Sequence, residues 1–528
     1  MYVALFLVAG CGSPSGTTSS TSRSAVTEGN EAAGATSIAS SISAMNPGDL
    51  YAVELSAAAT TLDLSSGASG AEYLLLIQST LTNGGSLTAS VADAGLTPPS
   101  TAKSAGIDGA VDIQERFDAF LRDAERELPS ETAERGAVSL AKSIVKTVQV
   151  GQSESFRVLA SLYSTSAYRT VNATVKCVNQ HVAVYLDDEV PSALTSEQLL
   201  ALCSQYESSL TTEFSILGDP PDMNGDGVIT VLLTKAVNQL GGSGGGIVTG
   251  FFFAGDLLPQ TGSNPASNEQ EIVFALVPDE AGTYGTPIPT DFALSNLLSA
   301  VIPHEVQHLL SYYYHVLEND GTAETTWLNE AMSHLIEDVV GYGQENPSRI
   351  ELFLAETYSA GLIPTSSPDL AERGAGYLFL RFLYEQAADG NGFLRTLLQT
   401  PQSGVMNVES AFAGSSGSFD EWDEFIFRWG VAIAVTDADV TTDSRYVYEG
   451  RNFNSTTNHY QGVCLICETE DGRGTLLSGV GALEVGSIGN VSISASAGAY
   501  YDLATPPSSV TIQGNSEDSL RAVLMRTR

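Results

Sequence analysis

From residue 44 onward the chain passes between stretches with an apolar residue at every second position and stretches with one at every third or fourth. Segments 51–55 and 73–77, divided by Ser- and Gly-rich turns, read as strands of a small β module over 44–95. Within 96–147, Ile113, Phe117, Phe120, Leu121 and Leu128 recur at helical spacing among charged residues and stop at Pro129, which predicts an amphipathic connector helix. Val171, Ala173, Val175 and Cys177 alternate, and Val182, Val184 and Leu186 alternate again after a short polar break, as a hairpin within 148–190 does. His181 lies in that break and reads as an exposed turn residue.

The region 191–445 mixes both periods. Leu199, Leu202, Cys203, Tyr206 and Leu210 mark a helix behind Thr195 and Ser196, while 228–233 and 271–277 read as strands. Segments 293–314, 377–386 and 419–435 read as helices, the last opened by the capping box Ser418-x-x-Glu421. Alternation returns in 483–485 and 491–495, so 446–528 is expected to close the chain as a second β module. The expected fold class is α+β: one larger domain with strands early and helices late, flanked by small all-β modules.

Charge narrows the partners. Asp and Glu number 62 against 23 Lys and Arg, a formal net charge of −39 that repels nucleic acid and anionic lipid. Residues 1–9 are apolar and lead to Cys11, so 1–11 resembles a bacterial lipoprotein signal, although no Lys or Arg precedes the apolar run. The Ser/Gly/Thr-rich 12–43 then reads as a disordered tether. These features place the protein in a bacterial cell envelope or outside the cell, touching a membrane only through a lipid anchor. With Cys11 lipidated, an oxidising compartment and short separations predict that Cys177 pairs with Cys203 and Cys464 with Cys467.

Candidate chemistry falls at three places. Asp222-Met-Asn224-Gly-Asp226-Gly227 imitates the first half of a calcium loop, but its twelfth position is Leu233, so an Asx-rich turn is expected ahead of Ca2+. Gly-rich 241–250 lacks the Lys and Ser/Thr of a phosphate cradle and reads as a loop at a cleft rim. The strongest motif is His304-Glu305-Val-Gln-His308 in the predicted helix 293–314. Residues four apart share a helix face, so both imidazoles can meet one metal while Glu305 stands beside it as a general base. Zinc lowers the pKa of its bound water to about 7 and needs a third protein ligand. Ser311 and Tyr314 stand where a Gly and a third His would be needed, and Asp320 and Glu324 fall in a loop, which leaves Glu330 on the next predicted helix.

His304-Glu-x-x-His308 followed by Asn329-Glu-x-x-Ser333-His334 resembles the gluzincin metallopeptidases, and 304–310 with 327–338 is most similar to their hyicolysin branch. The likeness covers 170–435 and departs from the family at His334, where many members carry Asp, and at Pro303. It implies a zincin-like domain over 191–445, one catalytic Zn2+ on His304, His308 and Glu330, and a monomeric surface-anchored or secreted endopeptidase acting on proteins or peptides. His334 is then expected behind the ligands, Tyr377 as an oxyanion donor by analogy, and His315 with Tyr312 to Tyr314 in the core or along the cleft. The alternative is a catalytically silent adhesin or binding lipoprotein on the same scaffold. Intact Glu305 argues against it, since a silent scaffold has no need of that carboxylate.

Overall fold

The computed structural model describes residues 36–55, 59–93, 113–128, 147–242, 246–415, 419–469, 471, 474–485, 490–516 and 519–528. The signal segment with Cys11, residues 12–35 and Ser418 lie outside the described residues.

A six-stranded mixed sheet carries the main core, in the order Ser153–Leu159, Tyr168–Val178, Val182–Asp187, Ile229–Leu233, Ile272–Ala275 and Gly250–Phe252. Its central strands Val182–Asp187, Ile229–Leu233 and Ile272–Ala275 run parallel and are buried at every position, which is why they read as continuous apolar runs. The hairpin of 148–190 therefore belongs to this sheet instead of standing apart. Cys177 and Cys203 are disulfide-bonded, tying the sheet to helix Ser196–Leu217, whose first turn is closed by a Thr195/Gln198 capping box.

The Gly-rich stretch ends in the antiparallel edge strand Gly250–Phe252. A Cβ on Gly250 would lie 2.6 Å from both Phe274 O and Val301 Cγ2, so glycine lets this edge press against helix Leu298–Tyr312. That helix is buried along its whole length and carries π-helical turns at both ends, Ala293–Leu297 and Tyr313–Glu318. Pro303 sits inside it and removes one backbone donor. Helix Thr326–Val339 packs beside it, and helix Leu370–Gln386 packs on the second. Helix Trp422–Val435 begins three residues later than 419, with Glu421 as its N-cap.

The strands assigned to the two ends of the chain share a single β-sandwich. One sheet runs Leu50–Val53, Leu520–Arg526, Tyr73–Ser79, Gly498–Leu503, Leu483–Glu484; the other runs Val491–Ser494, Ser86–Asp93, Ser509–Gly514, Thr60–Asp63. Neither end can bury its strands alone, and pairing Tyr73–Ser79 between Leu520–Arg526 and Gly498–Leu503 encloses Leu75 and Ile77 completely. Residues 36–43, expected as tether, are packed here: Thr36 hydrogen-bonds Thr441 at 2.9 Å, and Ile38 bridges to Leu50. The hairpin Arg451–Asn454 with His459–Gly462 instead rests on helix Thr326–Val339, where Gln461 Nε2 donates to Asp338 O at 2.8 Å. Cys464 and Cys467 are joined just beyond it. Gly430 lets helix Trp422–Val435 meet the sandwich, since a Cβ there would lie 2.0 Å from Gln78 Nε2. Among the described residues no helix is long and apolar enough to cross a membrane.

Candidate metal centre

Helices Leu298–Tyr312 and Thr326–Val339 bring His304, His308 and Glu330 together. The two Nε2 atoms are 3.2 Å apart, His304 Nε2 is 3.6 Å from Glu330 Oε2, and His308 Nε2 is 3.6 Å from Glu330 Oε1. Ligands about 2.0 to 2.1 Å from one tetrahedral ion stand roughly 3.3 to 3.4 Å apart, so this triangle already has the size a small divalent cation needs. All three side chains are buried, and Glu330 Oε1 has no hydrogen-bond partner. These buried groups could hold a metal ion.

The outer nitrogens orient the rings. His304 Nδ1 donates to Glu337 Oε1 at 2.6 Å, and His308 Nδ1 donates to Asn329 Oδ1 at 3.1 Å, which turns each Nε2 toward the shared point. His334, expected behind the ligands, lies beside His304, but it is not the group bonded to His304 Nδ1. Glu337 makes the hydrogen bond, because Glu330, His334 and Glu337 lie on one helix face and the last reaches back to Nδ1. His334 packs against His304 at 4.9 Å between ring centroids and donates its own Nδ1 to Glu337 Oε1 at 3.0 Å. His304, His334 and Glu337 form a second, overlapping group of possible donors.

Electrostatics separates the members of the cluster. Burial acts downward on His304, but the Glu330 and Glu337 carboxylates outweigh it and lift the imidazole to about 10. For His308, burial and then the nearby Arg122 guanidinium keep the ring well below its usual value. Burial would raise Glu330, yet Arg373 first and then His308 hold it well below the ordinary carboxylate range. Arg373 Nη1 is 2.9 Å from Glu330 Oε2. Burial pushes Glu305 up to about 7 against the pull of His304, with Asp118 adding to the rise. Its Oε2 accepts the edge-strand N–H of Phe252 at 2.8 Å.

Other expected residues lie elsewhere. Tyr377, expected as an oxyanion donor, is buried, lines a separate cavity with Asp338 and Gly462, and shares a hydrogen bond with Asp338, so the structure does not bring it to this group. Its place on helix Leu370–Gln386 is one turn past Arg373, and it is Arg373 that reaches Glu330. His315 is buried 3.9 Å from Glu324, away from the cleft. His181, half-buried, bonds Glu207 at 2.8 Å. The Asp222 loop closes on itself: Asp222 Oδ1 accepts from Gly225 and Gly227, and Asn224 Oδ1 from Asp226. Sequence reasoning missed the roles of Glu337, Asn329, Arg373 and Asp118. Seven-residue spacing from Glu330 could have flagged Glu337; nothing local marks Arg373 or Asp118.

Compared with known proteins, the chain matches no family model and no curated relative.

Proposed function

We propose that this protein is a zinc-dependent metalloendopeptidase of zincin-like fold, with His304, His308 and Glu330 holding the ion and Glu305 as general base. The observation that carries the reading is the donor triangle with sides of 3.2, 3.6 and 3.6 Å next to a carboxylate anchored on the edge strand. Two imidazoles and one carboxylate suit Zn2+, which would supply a Lewis acid for a scissile carbonyl and acidify water. Phe252 N–H fixes Oε2 of Glu305, so Oε1 is the oxygen left to take a proton. The rise of Glu305 to about 7 puts its affinity for that proton near neutrality. Glu337 and Asn329 hold the ring orientations, and Arg373 holds Glu330 ionised. The antiparallel edge beside the motif helix supports the zincin-like reading and offers an extended peptide a row of backbone groups.

Metal analysis joined to digestion of a fluorescent casein, with chelator and with zinc added back, tests the reading. Glu330→Ala is expected to lose most of its zinc, and His334→Ala to keep it with weaker affinity. The reverse result would move the ion to the group formed by His304, His334 and Glu337.

A further inference from the structure

The helix Ile113–Glu127, expected as a plain connector, lines the cavity that reaches the candidate metal centre. Its first turn takes the free edge of the sheet: Gln114 Oε1 accepts from Thr249 N at 2.8 Å, and Gln114 Nε2 donates to Gly250 O at 3.1 Å. A side-chain amide thus makes the donor and acceptor bonds that a polypeptide backbone would make there. Further along, Arg122 Nη2 donates to Phe252 O at 3.4 Å, and Phe117 packs edge-on against Phe251 with centroids 5.1 Å apart. Asp118 Oδ2 pairs with Arg373 Nη2 at 2.9 Å, and the other guanidinium nitrogen holds Glu330. The helix therefore touches the edge strand directly and reaches the carboxylate of the donor triangle only through Arg373. Under it, Glu330 and His308 are buried, and Glu305 and His304 are reached only by a cavity of about 270 Å³ that Gln114, Glu115 and Asp118 of this helix wall on one side, room for a small molecule but not for an extended polypeptide.

We propose that helix Ile113–Glu127 is an inhibitory segment of this chain, seated where substrate would lie, and that it must leave before a polypeptide reaches the metal. The proposal rests on the metallopeptidase reading above. The seal is built to open. Phe117 and Leu121 are its fully buried apolar anchors, with Ile113, Phe120 and Leu128 partly buried against the same core, while Glu115, Asp118, Arg122 and Glu125 are buried with them. Arg122 keeps Nε and Nη1 without hydrogen-bond partners, a cost that a permanent core contact avoids.

The test compares the zinc-loaded full chain with Phe117→Glu, which puts a charge against Phe251, in two assays. One is casein hydrolysis; the other is binding of a peptidyl hydroxamate, too long for the cavity beside His304, to the cobalt-substituted chain, read from its absorption spectrum. The expected result is at least a tenfold rise in hydrolysis and hydroxamate binding at a tenfold lower concentration, with the circular dichroism of the folded chain retained. If Phe117→Glu does not fold, Gln114→Ala removes the edge-strand bonds without touching the packing and is read in the same assays for a smaller rise. Hydroxamate access that rises while neither chain cleaves casein keeps the seal and overturns the peptidase reading. A wild-type chain that binds hydroxamate and cleaves casein as readily as both variants overturns the seal.

Discussion

The β-sandwich and the candidate metal centre are both largely shielded from water, yet they are filled in opposite ways. Between the two sheets, Leu75, Ile77, Ile493, Ala499, Val510 and Leu524 are all fully buried and all apolar. Around the two motif helices, His304, Glu305, Gln307, His308, Glu330, Ser333, His334 and Glu337 are buried as well. Apolar burial stabilises at about 25 cal/mol per Å², whereas burying an ionisable group costs free energy unless partners compensate it. Near the metal centre that compensation is incomplete: Gln307 Nε2, His334 Nε2 and Glu337 Oε2 have no hydrogen-bond partners. A fold that needed only stability would fill both places as it fills the sandwich. The difference supports the proposed metal site at the helix pair.

The sharpest break in the comparison comes from Glu305→Gln, which keeps the shape of the buried cluster and removes its base. Hydrolysis measured beside the Glu305 parent is expected to fall by about two to four decades with zinc content unchanged. Retention of more than about a tenth of the parent rate would remove Glu305 from that role. On the other side of the comparison, Leu75→Ala opens a cavity in an apolar core and should cost about 2–5 kcal/mol in denaturant unfolding while leaving zinc stoichiometry alone. Loss of zinc in that variant would mean that the two regions are not separable.

Glu337→Gln has a smaller expected effect, about 10- to 100-fold in zinc affinity, because it weakens the hold on His304 without removing a ligand. Competition with a zinc indicator reads it, and affinity equal to the parent's would give the orienting role to His334. The least change is expected far from both regions, at Glu271. Burial pushes its carboxyl from the usual 4.5 up to about 8, against the N–H of Met223 and with the charges of Asp222 and Asp226 adding to the rise. The folded state then keeps a proton that the unfolded state releases. Stability from this group is present below about pH 4.5 and is lost as pH climbs through 8. Thermal melts at pH 5 and pH 9 should differ less in Glu271→Gln than in the parent. A parent melt at pH 9 that rises with Ca2+ would bring calcium back to the Asp222 loop.

Local patterns carried a good part of this structure. The strands at 51–55, 73–77 and 228–233, the helix from Ser196 and the helices bearing the motif are legible because alternation and helical spacing are set by neighbours in sequence. So is the likeness to a helix pair that could hold a metal, since His304 and His308 are four apart and Glu330 is followed by His334 and Glu337 on one face. What periodicity does not encode is which strand pairs with which. The two ends of the chain looked like separate modules because the bonds from Tyr73–Ser79 to Gly498–Leu503 and Leu520–Arg526 cross more than 400 residues.

The sequence by itself determined the donor set and its register on two helices, for both follow from residue type and the 3.6-residue turn. Only the tertiary structure decided that Glu337 holds His304, that Arg373 reaches Glu330 where Tyr377 does not, and that helix Ile113–Glu127 lines the cavity that reaches the site. These contacts join Asp118 to Arg373 and Arg373 to Glu330 across the fold, and their geometry depends on how whole helices pack, which no local spacing specifies.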